Sequence, residues 1–370
     1  MKQERIAVIG GGSWGTAVGK HLAENIIARK FPDIDRKVKM WVYDEILSNG
    51  ELLTDTINAV HENAKYLPYI PLPKNLVATP SLEKVIQQSS VLVVVVPDQF
   101  LERTLNQIRA NIPKGKQRQY KIISLTKGII AKEDSYYTAT DLIAKALNYP
   151  KRRIACLSGG NIATEVAQGN FVEAMIGCKN RRRGNFFKRL FASPSFQIFQ
   201  SRSTRTIELL GALKNVVALS YGFCEGLRLA ASTKYAILRK SLQELMYVGR
   251  TIEPRFNTKL IFSPAGVSDI LVTAETGRNS RFAKKYIQLN RIEKKQSKEY
   301  IEQKYFNGQK IQGTHTLGQL HRIITSPKAK MEYTVFKNLY DILYGKALPQ
   351  SFSERLYKKG VPKGKPKVFK

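Results

Sequence analysis

An apolar run, Ile6 to Ile9, stops at Gly10, and the next five residues are Gly11, Gly12, Ser13, Trp14 and Gly15. Strand, tight turn and helix start, in that order, give the GxGxxG spacing with Gly10, Gly12 and Gly15 in the three required places. Each glycine meets its own steric demand. Gly10 permits the sharp turn, Gly12 lets a pyrophosphate approach the backbone, and Gly15 lets the helix pack closely on the strand. The phosphates then meet amides at a helix N-terminus, where the dipole favours negative charge. Taken alone the motif is not specific, because glycine-rich turns between a strand and a helix also occur with no ligand.

The rest of the N-terminal half alternates apolar runs with helical patterns, the signature of a parallel sheet with helices on both faces. Thr16 to Arg29 reads as a helix, Phe31 to Lys37 as a longer connection, and Val38 to Tyr43 as a second strand ending at Asp44 and Glu45. Those acids are either placed on the adenine ribose hydroxyls, which would favour NAD over NADP, or are ordinary turn residues. Val91 to Val96, Lys121 to Leu125 and Ile154 to Leu157 are further predicted strands. They hand over to Pro97-Asp98-Gln99-Phe100, Thr126-Lys127-Gly128 and Ser158-Gly159-Gly160-Asn161. Ligands of open α/β sheets bind at the carboxyl ends of strands, so these loops are candidate site walls.

From about Thr206 the pattern becomes helical. The 370 residues therefore divide into an α/β Rossmann-type dinucleotide-binding domain over 1–200, an all-α substrate domain over 201–356, and a basic tail over 357–370 expected to be disordered. The stretch Ser193 to Thr204, with Pro194 and several serines, reads as the boundary.

Charge narrows the partners. Lys and Arg number 61 against 29 Asp and Glu, a formal net charge of +32. Such a field attracts phosphorylated metabolites, nucleic acid or anionic membrane without choosing among them. The clusters Lys179 to Arg183, Lys284 to Lys298 and the tail lack the interleaved aromatics of a single-strand groove, so nucleic acid is not expected as the main partner. No purely apolar run approaches the roughly 20 residues of a membrane span, and no secretory segment precedes the first strand. The three cysteines, Cys156, Cys178 and Cys224, are scattered, and His21, His61, His315 and His321 have no ligand spacing, so no metal is expected.

The second half carries further chemistry. Ile207 to Phe223 is an apolar helix pattern broken by Glu208 and Lys214. A lysine there either titrates toward neutrality through desolvation, as a general acid and base does, or snorkels to the surface. Lys127 sits after a strand beside Gly128, which permits close approach of a ligand. A second ammonium near Lys214 would depress its pKa further and polarise a carbonyl. Asp269 is suited to orient an ammonium, and Arg278, followed by Asn279, to fork a phosphate. Individually these also read as a turn and a cap.

Together these residues resemble the NAD-dependent glycerol-3-phosphate dehydrogenases of the eukaryotic cytosolic type. The resemblance runs from Ile6 to about Tyr344 through the glycine loop with Trp14, Met40 to Glu45, His61 to Pro68, Val95 to Phe100, Gly160 to Ala163, Gly211 to Asn215, Gly277 to Asn279 and Asn307 to Gly313. It implies reversible hydride transfer between NAD and C2 of glycerol 3-phosphate or dihydroxyacetone phosphate, in a cytoplasmic homodimer. By resemblance Lys214 is the general acid and base, Lys127 polarises the carbonyl, and Asp269 and Thr273 hold Lys214 or the substrate hydroxyls. Arg278 clamps the phosphate with Asn279, Asn215 lines the same site, and Lys310 and Gln312 come from a closing loop. Gly10, Gly11, Gly12, Ser13, Trp14, Gly15, Tyr43, Phe100, Lys127, Asn161, Ala163, Arg278, Lys310 and Gln312 are the implied cofactor contacts.

The sequence departs from that family after Phe223. An aspartate and a glycine-rich stretch ending Asn-Thr-Lys are replaced by Cys224 to Lys234, expected to stiffen a segment between the domains. That departure leaves two other readings. One is a weakly active Rossmann protein whose basic surface binds polyanions. The other is a related dehydrogenase with another small, phosphorylated substrate.

Overall fold

β-branched and long aliphatic side chains fill both faces of the N-terminal strands, so neither face can be left to water. In the computed structural model, which describes residues 3–133, 135–290, 296–327, 329, 331–345 and 347–357, these segments form an eight-stranded sheet. Its strands are β1 (Glu4–Ile9), β2 (Ile34–Trp41), β3 (Leu76–Thr79), β4 (Val91–Val94), β5 (Lys121–Ser124), β6 (Ala155–Ser158), β7 (Val172–Gly177) and β8 (Phe196–Ser201). The order is β8-β7-β6-β5-β4-β1-β2-β3. Neighbours are parallel except β6 and β7, which run antiparallel. Ile6 and Val8 of β1 enter one apolar core and Ala7 and Ile9 the other, as the period of two along a strand requires.

Two readings are corrected here. The connection assigned to Phe31 to Lys37 contains the start of β2, because Ile34 pairs beside Glu4 although Asp35, Arg36 and Lys37 follow it. The boundary assigned to Ser193 to Thr204 contains β8, whose Phe196 and Ile198 are buried on alternate positions.

The chain forms two compact units, Met1–Ala212 with Ile252–Val272, and Leu213–Thr251 with Thr273–Lys370. The helices are α1 (Ser13–Arg29), α2 (Leu53–Val60), α3 (Leu82–Gln87), α4 (Asp98–Asn111), α5 (Ala139–Ala146), α6 (Ala163–Ala167), α7 (Arg181–Phe191) and α8 (Thr204–Gly226). They continue with α9 (Ala231–Ile252), α10 (Asp269–Thr276), α11 (Arg278–Asn290), α12 (Lys298–Tyr305), α13 (Gln312–Gln319), α14 (His321–Ile324), α15 (Thr334–Leu343) and α16 (Ser351–Tyr357). The division thus falls inside α8, and 252–272 returns to the first unit, where sequence had suggested a single cut near residue 200.

Helix α8 has the length and apolarity of a membrane span, yet 94% of its apolar window is buried, as expected of a core helix. In the second unit Phe223 packs edge-on against Phe352 and stacks on Tyr286. There the buried Glu244 carboxyl group of α9 accepts from the amides of Val335 and Phe336, closing the N-terminus of α15. The expected tail lies, beyond Tyr357, outside the described residues, as do residues 291–295 of the Lys284 to Lys298 cluster.

Candidate active site

Parallel strands place their carboxyl ends along one edge, and the order reverses on either side of β1. Gly10 leaves β1 at φ 126°, a conformation open to glycine, and its α-carbon faces the Val95 carbonyl oxygen closely enough that a methyl carbon there would lie 2.7 Å away. A methyl carbon on Gly15 would lie 1.9 Å from the Gly10 carbonyl oxygen, whereas one on Gly12 would meet nothing within 4 Å. Gly12 is the N-cap of α1 and offers no side-chain cap, and no acid stands in the first turn. The first amides of the helix have no acceptor within it, and the space beside Gly12 is open, which suits a pyrophosphate. Exposed Ser13 and half-buried Trp14 begin the helix.

Asn63 holds the loop from behind. Its fully buried side chain donates to the Gly11 carbonyl at 2.9 Å and to Thr16 Oγ1 at 2.8 Å. Tyr43 after β2 and Phe100 in the first turn of α4 are both exposed. Of the two acids after β2, Glu45 is engaged by Lys65 and by the Tyr66 hydroxyl, the latter at 2.6 Å. Burial and that carboxylate push the Tyr66 phenol up to about 12. Asn161 follows β6 and donates to the Glu173 carbonyl at 2.9 Å, while its buried Oδ1 has no partner; Ala163 opens α6.

Lys127 follows β5 and donates from Nζ to Asp269 Oδ2 at 2.8 Å and to the Gly159 carbonyl at 3.1 Å. Ser158 Oγ donates to the same carboxylate oxygen at 3.2 Å. Asp269 is 1% exposed, so its charge is matched by a lysine and a hydroxyl rather than by water. Gly128 stands against Asp98, whose Oδ2 would lie 2.4 Å from a methyl carbon there.

In the second unit Lys214 of α8 is 7% exposed, and its Nζ donates to Thr273 Oγ1 at 2.7 Å. The ammonium is buried with a hydroxyl beside it, so the snorkelling alternative does not hold. The adjacent Asn215 accepts at Oδ1 from Asn279 Nδ2 at 2.9 Å, and Asn279 Oδ1 accepts from the Gly313 amide at 2.7 Å. One buried amide thereby ties α8, α11 and α13 together. Arg278 opens α11 with its guanidinium exposed and bonded to Gln309 Oε1. Lys310, in the same loop, reaches Glu302 Oε2 at 3.3 Å, and Glu302 Oε1 accepts from the Ile311 amide at 3.0 Å. Gln312 begins α13. Glu302 was not singled out from sequence, and Ser158 was named only within a candidate wall, with no role of its own. Their signal was no more than a lone acid on a charged helix and a serine at a strand end.

Cys224 to Lys234 lies wholly within the second unit. It forms the end of α8, a turn with Arg228 at φ 56°, and the start of α9, held by Lys234 on Glu225 at 2.6 Å. It is a hairpin inside one unit, not a connection between domains. All three cysteines are buried and free, and burial pushes each thiol up, Cys224 to about 12. Among the described residues, no group of three His, Cys, Asp or Glu could hold a metal.

Two family models match. The model for the N-terminus of NAD-dependent glycerol-3-phosphate dehydrogenase covers residues 5–183, and the model for its C-terminus covers residues 204–354. The chain is 35% identical to the glycerol-3-phosphate dehydrogenase 1-like protein of Mus musculus, over 94% of this chain and 96% of that one. It is 33% identical to the cytoplasmic NAD enzyme of Rattus norvegicus (93% and 95% covered) and to a chloroplastic one of Arabidopsis thaliana (94% and 84% covered). The solved glycerol-3-phosphate dehydrogenase of Plasmodium falciparum superposes with a TM-score of 0.88 at 33% identity, covering 97% of each chain. That of Saccharomyces cerevisiae gives 0.83 at 31%, covering 96% of this chain and 100% of the other.

Proposed function

Because this chain belongs to the NAD-dependent glycerol-3-phosphate dehydrogenase family, which interconverts glycerol 3-phosphate and dihydroxyacetone phosphate, we propose that Lys214 is its general acid and base. NAD held at Gly10 to Gly15 would supply the hydride chemistry at C2 of the substrate. During reduction the C2 oxygen gains negative charge and then needs a proton, and the Lys214 ammonium delivers it; in oxidation the neutral amine takes the hydroxyl proton. The observation that carries this assignment is the burial of Lys214 with Nζ 2.7 Å from Thr273 Oγ1, which fixes the direction of one N–H.

Lys127 stabilises charge on the C2 oxygen, its position set by Asp269 and the Gly159 carbonyl. Arg278 binds the phosphate as a planar fork, which supplies remote binding energy and places C2 for reaction. Asn279 and Asn215 hold the start of α11 beside α8 and so position that fork. Gln309 and Lys310 place the following loop, one on Arg278 and the other on Glu302. Gly10 to Gly15 take the pyrophosphate of NAD, with Tyr43, Phe100, Asn161 and Ala163 at neighbouring strand ends.

The test is the phosphate dependence of the reaction. Arg278→Lys should raise KM for dihydroxyacetone phosphate at least tenfold with a smaller effect on NADH, because a point charge replaces a bidentate fork. An unchanged KM would remove Arg278 from the phosphate. We further propose a homodimer in the cytoplasm, supported by the resemblance and by the cytoplasmic relatives. Light scattering and imaging of the tagged chain test each, with a chloroplast signal as the opposing outcome for location.

A further inference from the structure

The +32 charge is not absorbed by the dehydrogenase reaction. Part of it converges in the first unit. A cleft of about 180 Å³ opens at the start of α8, lined by Lys151, Lys179, Arg202, Arg205 and Arg255, with Glu253 the one carboxylate in its wall. Two of the cations are balanced: Lys151 and Arg205 share Asp141, and Arg205 Nε also lies 3.4 Å from Glu253. Lys179, Arg202 and Arg255 are exposed and have no ion-pair partner among the described residues. Three uncompensated cations around one small concavity make an anion trap.

The backbone adds to it. Ile207 N bonds to the Ser203 carbonyl at 3.2 Å, closing the first turn of a 23-residue helix; the Ser203 and Thr204 amides are taken by Ser201 Oγ and the Arg202 carbonyl, so the helix contributes its positive dipole end. Thr204, in that first turn, is 5% exposed, lines the cleft, and its buried Oγ1 has no hydrogen-bond partner. A buried hydroxyl without a partner costs about 1–3 kcal/mol.

We propose that this cleft binds a small phosphate-bearing anion, at a site made of residues other than the glycine loop and Arg278. Its volume lies below the roughly 300–1,000 Å³ of sites that enclose drug-sized ligands, so it suits one phosphoryl group, free or carried on a small metabolite, rather than a nucleotide. Phosphate fits better than carboxylate because its three terminal oxygens meet several arginine forks and a lysine together. Glu253 limits the charge the site accepts, and the Arg205 guanidinium is held at the wall by hydrogen bonds to Asp141 and the Tyr136 carbonyl.

Calorimetric titration of the full-length protein with inorganic phosphate, and separately with a sugar phosphate that is not a substrate, tests the site. Arg278→Ala should leave one binding event, and Arg202→Glu combined with Arg255→Glu should weaken that event at least tenfold. Thr204→Val, which removes a single hydroxyl, should weaken it about three- to tenfold. The exposed pair Lys114→Glu and Lys116→Glu changes net charge equally and should leave it within twofold. The tighter of the two ligands identifies the source of the phosphoryl group. Binding that the Arg202 and Arg255 reversals leave intact, or that the control pair weakens as much, overturns the proposal.

Discussion

Gly12→Ala and Gly15→Ala separate two demands that one motif combines. At Gly15 an added methyl carbon would sit 1.9 Å from the Gly10 carbonyl oxygen, and Gly10 cannot retreat because its amide is bonded to the Trp41 carbonyl and its α-carbon abuts Val95. Overpacking of that kind costs about 1–3 kcal/mol, so Gly15→Ala should lower stability visibly. At Gly12 the added carbon meets nothing within 4 Å, and φ −71° with ψ −179° is open to any residue. Two small effects then oppose each other. Alanine restricts the unfolded chain, worth about 0.4–1 kcal/mol, and is a poorer N-cap than glycine by a similar amount. The folded state should therefore change by less than about 0.5 kcal/mol. Binding should change much more, since the methyl occupies the space assigned to the pyrophosphate. Loss of one or two charge-assisted amide bonds, about 1.5–3 kcal/mol each, corresponds to at least about tenfold and up to about 20,000-fold weaker NADH binding. Urea titration and calorimetry with NADH measure the two quantities separately. A folded Gly12→Ala protein that binds NADH within threefold of the parent would refute the placement of the phosphates.

Asp269→Asn keeps shape but removes the charge facing Lys127. Because the Lys127 side chain is 24% exposed, the loss should fall below that of a fully buried pair, about 1.5–3 kcal/mol, read as a 10- to 100-fold drop in kcat/KM. Unchanged kinetics would show that Lys127 needs no anchor. Asn279→Ala strands the Gly313 amide and should raise KM for dihydroxyacetone phosphate with a lower melting temperature; a change in neither would deny its positioning role. Burial raises Glu208 and Glu244 from the ordinary carboxylate value to about 7, Glu208 against donors from Thr138 and Thr140 and Glu244 against donors from α15. The folded protein then holds protons that the unfolded chain has released, so the stability from each group is complete below about pH 4.5 and is lost as pH rises through 7, on the order of 3 kcal/mol apiece. His21, which burial shifts down, acts in the opposite sense below its ordinary value. Glu208→Gln should flatten the decline between pH 5 and 7.5 relative to the parent in urea titrations, and an identical slope would mean that Glu208 stays ionised.

What was legible in the sequence follows from how local its causes are. The βα turns announced themselves because a strand end, a glycine and a helix start are neighbours in the chain, and Gly10, Gly12 and Gly15 could each be given a steric reason before any coordinates. β2 was shortened because Asp35, Arg36 and Lys37 hide its pairing behind three consecutive charges, two of them exposed. β8 was mistaken for a boundary because Pro194 and the serines mask the alternation of Phe196 and Ile198. The carboxylate that holds Lys127 lies 142 residues away, and no local pattern could place it there. Likewise Asn63 reaches Gly11 across 52 residues, a bond that only the packed fold creates. The residues with chemistry were therefore readable as types, while their pairings were not.

The most direct test is dihydroxyacetone phosphate-dependent oxidation of NADH by the purified protein and by Lys214→Ala. The parent should turn over. The variant should still bind NADH with parental affinity and lose at least a thousandfold in kcat, because the proton donor at the C2 oxygen is gone and only binding and electrostatic contributions remain. A Lys214→Ala enzyme that retains full turnover would contradict the account.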